Sequence, residues 1–106
     1  MQITSNKNIL EKVNDFTYNI NYGTLASGSD TDLTINFKDV EHVSVTKTCQ
    51  CTMPTIVLLP EGGFDMKVSY DSKKVGVINQ SIYERVLNDK KEQVLVTFNL
   101  KGVITQ

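Results

Sequence analysis

The chain has 106 residues, of which 40% are apolar and 22% are charged, and its formal net charge is −1. This length corresponds to about one domain with a core of its own. A charge so close to zero argues against a dedicated nucleic-acid-binding protein, because such proteins need a basic surface to neutralise phosphates. No apolar run approaches the roughly 20 residues of a membrane-spanning helix, so we expect neither nucleic acid nor a membrane as partner.

The amino-terminal residues MQITSNKNILEKVNDF lack the basic start, the apolar middle and the small-residue cleavage site of a signal peptide. We therefore expect a protein that stays inside the cell or particle in which it is made. Ser5 can cap a short helix that buries Ile9 and Leu10, or the segment can be an irregular arm. Either way, residues 1–15 are predicted to form an arm that precedes a domain spanning residues 16–106.

The remainder of the chain has a composition and a pattern typical of β-structure. It is rich in Val, Ile and Thr, and apolar and polar residues alternate in LTINF, MKVSY and VLVTFNL. Turn-forming residues separate these runs, as in YGTLASGSD, PEGGF and LNDKKEQ. Together the patterns predict an all-β sandwich of about seven strands. The predicted strands lie near residues 16–22, 31–38, 42–48, 55–59, 64–71, 77–87 and 93–104.

The same alternation predicts which side chains face the core. Successive side chains of a strand point to opposite faces, so the apolar residues of each alternating run should share the buried face. The residues predicted to be mostly buried are Leu33, Ile35, Phe37, Val43, Val45, Val68, Tyr70, Ile82, Val96 and Phe98.

Both cysteines of the chain lie in the segment TCQCTMP, just after a predicted strand. In an extended chain the Cα atoms of Cys49 and Cys51 would be ~6.5–7 Å apart, at the outer limit for a disulfide, so a bond between them would need a kink. The pair offers two thiolates, whereas zinc takes four ligands, and the only histidine is His42. We predict reduced cysteines that pack as small apolar side chains. The alternative is a thiol- or metal-dependent site built on Cys49, Cys51 and His42.

No set of residues predicts catalysis. A Ser-His-Asp or Cys-His arrangement would need His42 as its base, and the alternation makes His42 an exposed or half-buried residue on the strand face opposite Val43. Asp30 and Asp32 lack the glycine and the distal glutamate of a calcium loop, so a solvated turn is expected there. We therefore predict that the protein is not an enzyme and has no catalytic residues, cofactor or metal ion.

The segment CQCT, together with LLPEGGFDMKVSYDSKKVG and VTFNLKGVI, resembles a bacterial domain family of unknown function that is marked by a Cys-Gly-Cys-Thr motif. The resemblance covers residues ~16–104, although Gln50 stands where the family has the glycine of its motif. The matching positions are Tyr22, Gly23, Thr24, Leu25, Gly28, Leu33, Ile35, Phe37, Cys49, Cys51, Thr52, Pro60, Glu61, Val68, Tyr70, Asp71, Gly76, Ile82, Gly102 and Val103.

This resemblance implies an immunoglobulin-like fold, because the family belongs with the ASH, hydin and PapD-like domains. It carries over no catalytic residues, since none are established for the family. Its members are typically exported or lipid-anchored, whereas the amino terminus of this chain predicts no export.

A lone immunoglobulin-like domain without an export signal is similar to the auxiliary or decoration proteins of tailed-phage heads. We therefore expect a structural or interaction protein that binds a capsid or another large assembly by surface contact. Its expected location is the virion, after synthesis in the bacterial cytoplasm. Ile3, Ile9 and Leu10 of the arm are the predicted partner contacts. A cell-envelope binding module that lacks its leader is the alternative, and self-association into a homo-oligomer stays open.

Overall fold

The computed structural model describes all 106 residues and contains nine β-strands and no helix. All seven predicted strands are present, with ends that differ by a few residues from the prediction. Two further strands, β1 and β2, lie within the first 15 residues. The strands are β1 (Gln2–Ser5), β2 (Leu10–Asn14), β3 (Thr17–Ala26), β4 (Leu33–Lys38), β5 (Glu41–Lys47), β6 (Thr52–Leu58), β7 (Phe64–Tyr70), β8 (Gly76–Leu87) and β9 (Gln93–Thr105).

The strands form two sheets, one of four strands in the order β1-β4-β7-β6 and one of five strands in the order β2-β3-β9-β8-β5. Neighbouring strands are antiparallel except β3 and β9, which are parallel. The first sheet has the ABED order of an immunoglobulin domain, and β9-β8-β5 has the order of its G, F and C strands. The predicted immunoglobulin-like β-sandwich is therefore confirmed.

Residues 1–15, which the sequence predicted to be an arm or a short helix, contribute an edge strand to each sheet. β1 pairs with β4 and places Ile3 opposite Phe37, and β2 pairs with β3. Ile3, Ile9 and Leu10 pack against the core of the sandwich. The segment therefore belongs to the sandwich and does not stand apart from it. β2 was hidden from sequence analysis because only its first residue is half-buried, so that it has no alternation to detect.

The core lies between the two sheets and has a cluster of aromatic rings at its centre. Phe37 stacks on Phe64 at 4.5 Å between ring centroids and meets the edge of Phe98 at 5.9 Å. Tyr18 also stacks on Phe98, at 5.5 Å between ring centroids. Aromatic pairs at these distances add to the stabilisation that comes from burying apolar surface. The cluster joins β3 and β9 of one sheet to β4 and β7 of the other.

Nine of the ten predicted core residues are buried or half-buried against the core. Val43 is the exception, because 39% of its surface is exposed and its predicted burial was wrong. The pairing of β5 with β8 shifts register between His42 and Ser44, so Val43 occupies a bulge. A bulge adds one residue and resets the alternation of the strand, which period-two analysis does not anticipate. The fully buried residues are Leu33, Ile35, Phe37, Val68, Ile82, Val96 and Phe98, and the half-buried ones are Val45 and Tyr70.

Candidate functional site

The most unusual polar group in the molecule is the side chain of Glu84, which lies on the buried face of β8. Ile82, Glu84 and Val86 alternate inward along this strand, and Glu84 is 0% exposed. A carboxyl group in a sandwich core is costly to bury without a partner. The partner of Glu84 is His42 of β5, whose Nδ1 atom lies 2.5 Å from Glu84 Oε1.

The sheet register explains why these two side chains meet. His42 is opposite Val86 and Glu84 is opposite Val45, so the pair is diagonal across β5 and β8. Long side chains on the same face reach such diagonal neighbours. The His42 ring also meets the edge of Phe64 at 5.4 Å, and 20% of the His42 side chain remains exposed. His42 is therefore half-buried, as predicted, and it connects Glu84 to the surface.

Burial sets the protonation state of this pair. Desolvation raises the pKa of Glu84 to about 8 and lowers the pKa of His42 below its ordinary value of 6.5. At neutral pH, Glu84 therefore keeps its proton, and its O–H group donates a hydrogen bond to the unprotonated Nδ1 atom of His42. The second carboxyl oxygen, Oε2, is buried and has no hydrogen-bond partner. An uncharged carboxyl group tolerates this position far better than a carboxylate would.

Sequence analysis did not identify Glu84, although a signal for it was present. The predicted strand near residues 77–87 places Ile82, Glu84 and Val86 on one face by simple alternation. A charged residue on an apolar face should prompt a search for a partner. Nothing in the sequence pairs Glu84 with His42, which lies 42 residues away.

Cys49 and Cys51 are joined by a disulfide, so the predicted reduced state was wrong. The chain is not extended at this point. The N–H of Thr52 donates to the carbonyl of Cys49 at 3.2 Å and closes a turn around Gln50. The turn brings the two Cα atoms to 5.2 Å, which lies within the usual range for a disulfide. This turn supplies the kink that a disulfide between Cys49 and Cys51 requires.

The three residues of the predicted thiol- or metal-dependent site do not form one cluster. Cys49 and Cys51 bond to each other, and His42 bonds to Glu84. No group of three or more His, Cys, Asp and Glu side chains is arranged to hold a metal ion. In this structure the proposed ligands have other partners, and the metal form of that alternative stays a hypothesis.

The segment SDTD forms a turn that is held by its own side chains. The N–H of Asp32 donates to Asp30 Oδ1 at 2.9 Å. Lys7 reaches the Asp30 carboxylate at 3.7 Å and donates to the Asp32 carbonyl at 2.6 Å. Asp30 and Asp32 are both exposed. This is a solvated turn with a lysine neighbour, as expected from the sequence.

Exposed apolar side chains occur at several places on the surface, and two groups of them lie on strands of different sheets. Met53, Val57 and Leu58 lie on β6, the edge strand of the four-stranded sheet, and Leu58 is 72% exposed. Met53 and Val57 alternate on the outer face of this strand, whereas Leu58 lies on the opposite face at its end. The second group is the cross-strand pair of Val77 and Val103 on β8 and β9, of which Val77 is 74% exposed. The two groups lie on different sheets, so they can be tested separately.

No protein-family model matches the chain, and no curated protein matches it. The resemblance to the Cys-Gly-Cys-Thr family therefore stays a prediction based on the motifs quoted above. The chain has no helix that is long and apolar enough to cross a membrane.

Proposed function

We propose that the protein is a non-enzymatic interaction protein that attaches by surface contact to a large protein assembly, with a phage capsid as the first candidate. The observation that carries this proposal is the β6 edge. The strand has a neighbour on one side only, and its sequence TMPTIVL contains no charged residue. Natural sandwiches usually protect such edges with charges, because free N–H and C=O groups invite pairing with another chain.

The side chains of this strand support the same proposal. Binding by strand addition uses a free strand backbone and side-chain contacts beside it. The β6 edge offers both, because its backbone is unpaired on one side and it exposes Met53, Val57 and Leu58. Pro54 has no N–H group and so gives this edge some protection, but the other residues of the strand keep theirs. The net charge of −1 offers little electrostatic steering, so apolar contact and shape must hold a partner.

Particle sedimentation with charged variants tests the proposal. We expect the intact protein to co-sediment with particles from the cells that produce it. Val57→Lys and Leu58→Lys should each reduce particle-bound protein by about tenfold or more, because a lysine buried in an apolar contact costs more than ~1.4 kcal/mol. Val77→Lys is the matched control, since Val77 is as exposed as Leu58 but lies on the other sheet. The proposal is contradicted if the intact protein never co-sediments with particles. It is also contradicted if Val77→Lys reduces the amount of particle-bound protein as much as the β6 variants do.

A cell-envelope binding module is the second candidate, and the disulfide is the observation that favours it. Disulfides persist in oxidising places such as the bacterial periplasm and the surfaces of cells and virions. Fractionation of the producing cells distinguishes the two candidates. Protein in the envelope fraction of cells that contain no particles supports the envelope module, whereas protein confined to the particle fraction supports the capsid.

A further inference from the structure

We propose that the Cys49–Cys51 disulfide is a thiol–disulfide exchange site, at which an external thiol attacks Cys51 and Cys49 leaves. This activity goes beyond attachment to an assembly and does not depend on it. The site belongs to the turn that carries the chain from β5 in one sheet to β6 in the other. Both cysteines are half-buried, so solvent and small thiols can reach them.

The first reason is that the fold does not need this bond to hold the turn. The closed loop spans only three residues, so the bond removes little entropy from the unfolded chain. Hydrogen bonds anchor the turn at both ends. The N–H of Thr48 donates to the Ser81 carbonyl at 3.1 Å, and the N–H of Asp71 donates to the Cys51 carbonyl at 2.8 Å. The reduced cysteines would therefore stay close together and ready to re-form the bond.

The second reason is that the two sulfur atoms have different surroundings. The backbone N–H of Cys51 donates to Cys49 Sγ at 3.1 Å. Cys51 Sγ has a more distant contact, with the hydroxyl oxygen of Thr52 at 4.0 Å. A donor close to sulfur stabilises the thiolate, and the thiol with the lower pKa is the better leaving group in exchange. Cys49 is therefore the leaving thiolate, and Cys51 Sγ is the atom that is attacked.

The chemistry balances with two external thiols. The first thiolate bonds to Cys51 Sγ, the bond between the cysteines breaks, and Cys49 leaves as a thiolate that takes up a proton. The second thiolate attacks the external sulfur of this mixed disulfide and releases Cys51 as a thiol. The two external thiols are oxidised to one disulfide, and their two electrons reduce the protein.

Reduction of the folded protein by glutathione tests the proposal. Acid quenching followed by peptide mass spectrometry locates the first adduct, and far-UV circular dichroism reports the fold. We expect two thiols per chain with an unchanged spectrum, and an early adduct at least about tenfold more abundant on Cys51 than on Cys49. The Cys49→Ser/Cys51→Ser double variant gives the background. An adduct that forms first on Cys49, or a disulfide that opens only in denaturant, overturns the proposal.

The single variants test the role of the N–H donor directly. In Cys51→Ser the backbone donor to Cys49 remains, whereas in Cys49→Ser the thiol of Cys51 has no such donor. The rate of alkylation as a function of pH gives the pKa of each remaining thiol. We expect the Cys49 thiol to ionise at the lower pH. Equal values, or a lower value for Cys51, contradict the proposed direction of attack.

Discussion

Glu84 shows at the scale of a single residue how the fold changes the chemistry of a side chain. Its position on β8 follows from the same alternation that buries Ile82 and Val86. Burial raises its pKa to about 8, and His42 Nδ1 accepts a hydrogen bond from the protonated carboxyl group. The protonation of this pair links the stability of the domain to pH.

The pH dependence of stability has a definite sign. The pKa of Glu84 rises from 4.5 to about 8 on folding, so the folded protein holds one extra proton between these values. The corresponding stability is complete below about pH 4.5 and is lost as the pH rises through about 8. The pKa of His42 is lowered from 6.5, so the unfolded chain binds this proton more readily than the folded protein does. The free energy of unfolding therefore increases as the pH rises to about 6.5. The window from about pH 6.5 to about pH 8 therefore isolates the contribution of Glu84.

We predict that the free energy of unfolding falls from about pH 6.5 to about pH 8, by at most ~1.4 kcal/mol per pH unit for one proton. Glu84→Gln should remove most of this slope, because the amide does not ionise and can still donate to His42. Urea denaturation at several pH values measures the effect. Glu41→Gln is the control, since Glu41 is an exposed carboxylate that pairs with Lys91. Equal slopes for the intact protein and Glu84→Gln would refute the assignment.

The aromatic cluster gives a second prediction for a single residue. Phe98 is fully buried between Tyr18 and Phe37, so Phe98→Ala should reduce the free energy of unfolding by about 3–5 kcal/mol. Val103→Ala on the same strand faces outward and should cost no more than about 0.5 kcal/mol. Denaturant titrations compare the two variants. A loss below about 1 kcal/mol for Phe98→Ala would mean that the inward face of β9 is assigned wrongly.

At the scale of whole elements, the hairpin between β6 and β7 depends on two adjacent glycines with different constraints. Gly62 and Gly63 both have positive φ, of 96° and 74°. A Cβ atom on Gly62 would meet nothing within 4 Å, whereas one on Gly63 would lie 2.3 Å from the backbone oxygen of Phe37. Gly63 thus allows the hairpin to approach β4 closely.

We predict that Gly63→Ala destabilises the domain more than Gly62→Ala does. Each alanine carries the strain of a positive φ, about 1–2 kcal/mol, and only Gly63→Ala also forces β4 or the hairpin to move. The displacement should add about 1–3 kcal/mol. Thermal or urea unfolding of both variants checks the difference. Equal losses would show that the hairpin can shift freely away from Phe37.

Prediction of the elements from sequence succeeded where strands have one clearly buried face. The runs around Leu33, Val68 and Phe98 alternate cleanly, and all lie in strands. It failed for β1 and β2, because short edge strands contact the core through only a few residues and carry little periodicity. The disulfide was also not predictable. The turn that allows it is held by hydrogen bonds to Ser81 and Asp71, which come from distant parts of the chain.

At the scale of the whole molecule, the two sheets give the protein several surfaces with different properties. Ile3, Ile9 and Leu10, predicted from sequence as partner contacts, pack against the core and are half-buried. A direct contact between these residues and a partner stays a prediction. The β6 edge is the more accessible candidate, because its backbone is free on one side and its apolar residues are exposed. Sequence analysis predicted a strand near residues 55–59, but only the sheet order identifies it as an edge.

Hydrogen exchange of the intact protein, free and bound to its assembly, tests attachment through the β6 edge most directly. Amides on a free strand edge exchange with solvent, and pairing with a partner strand protects them. We expect binding to slow exchange within Thr52–Leu58 and to leave β8 around Val77 unchanged. Exchange in Thr52–Leu58 that is the same in the free and bound protein would contradict attachment through this edge.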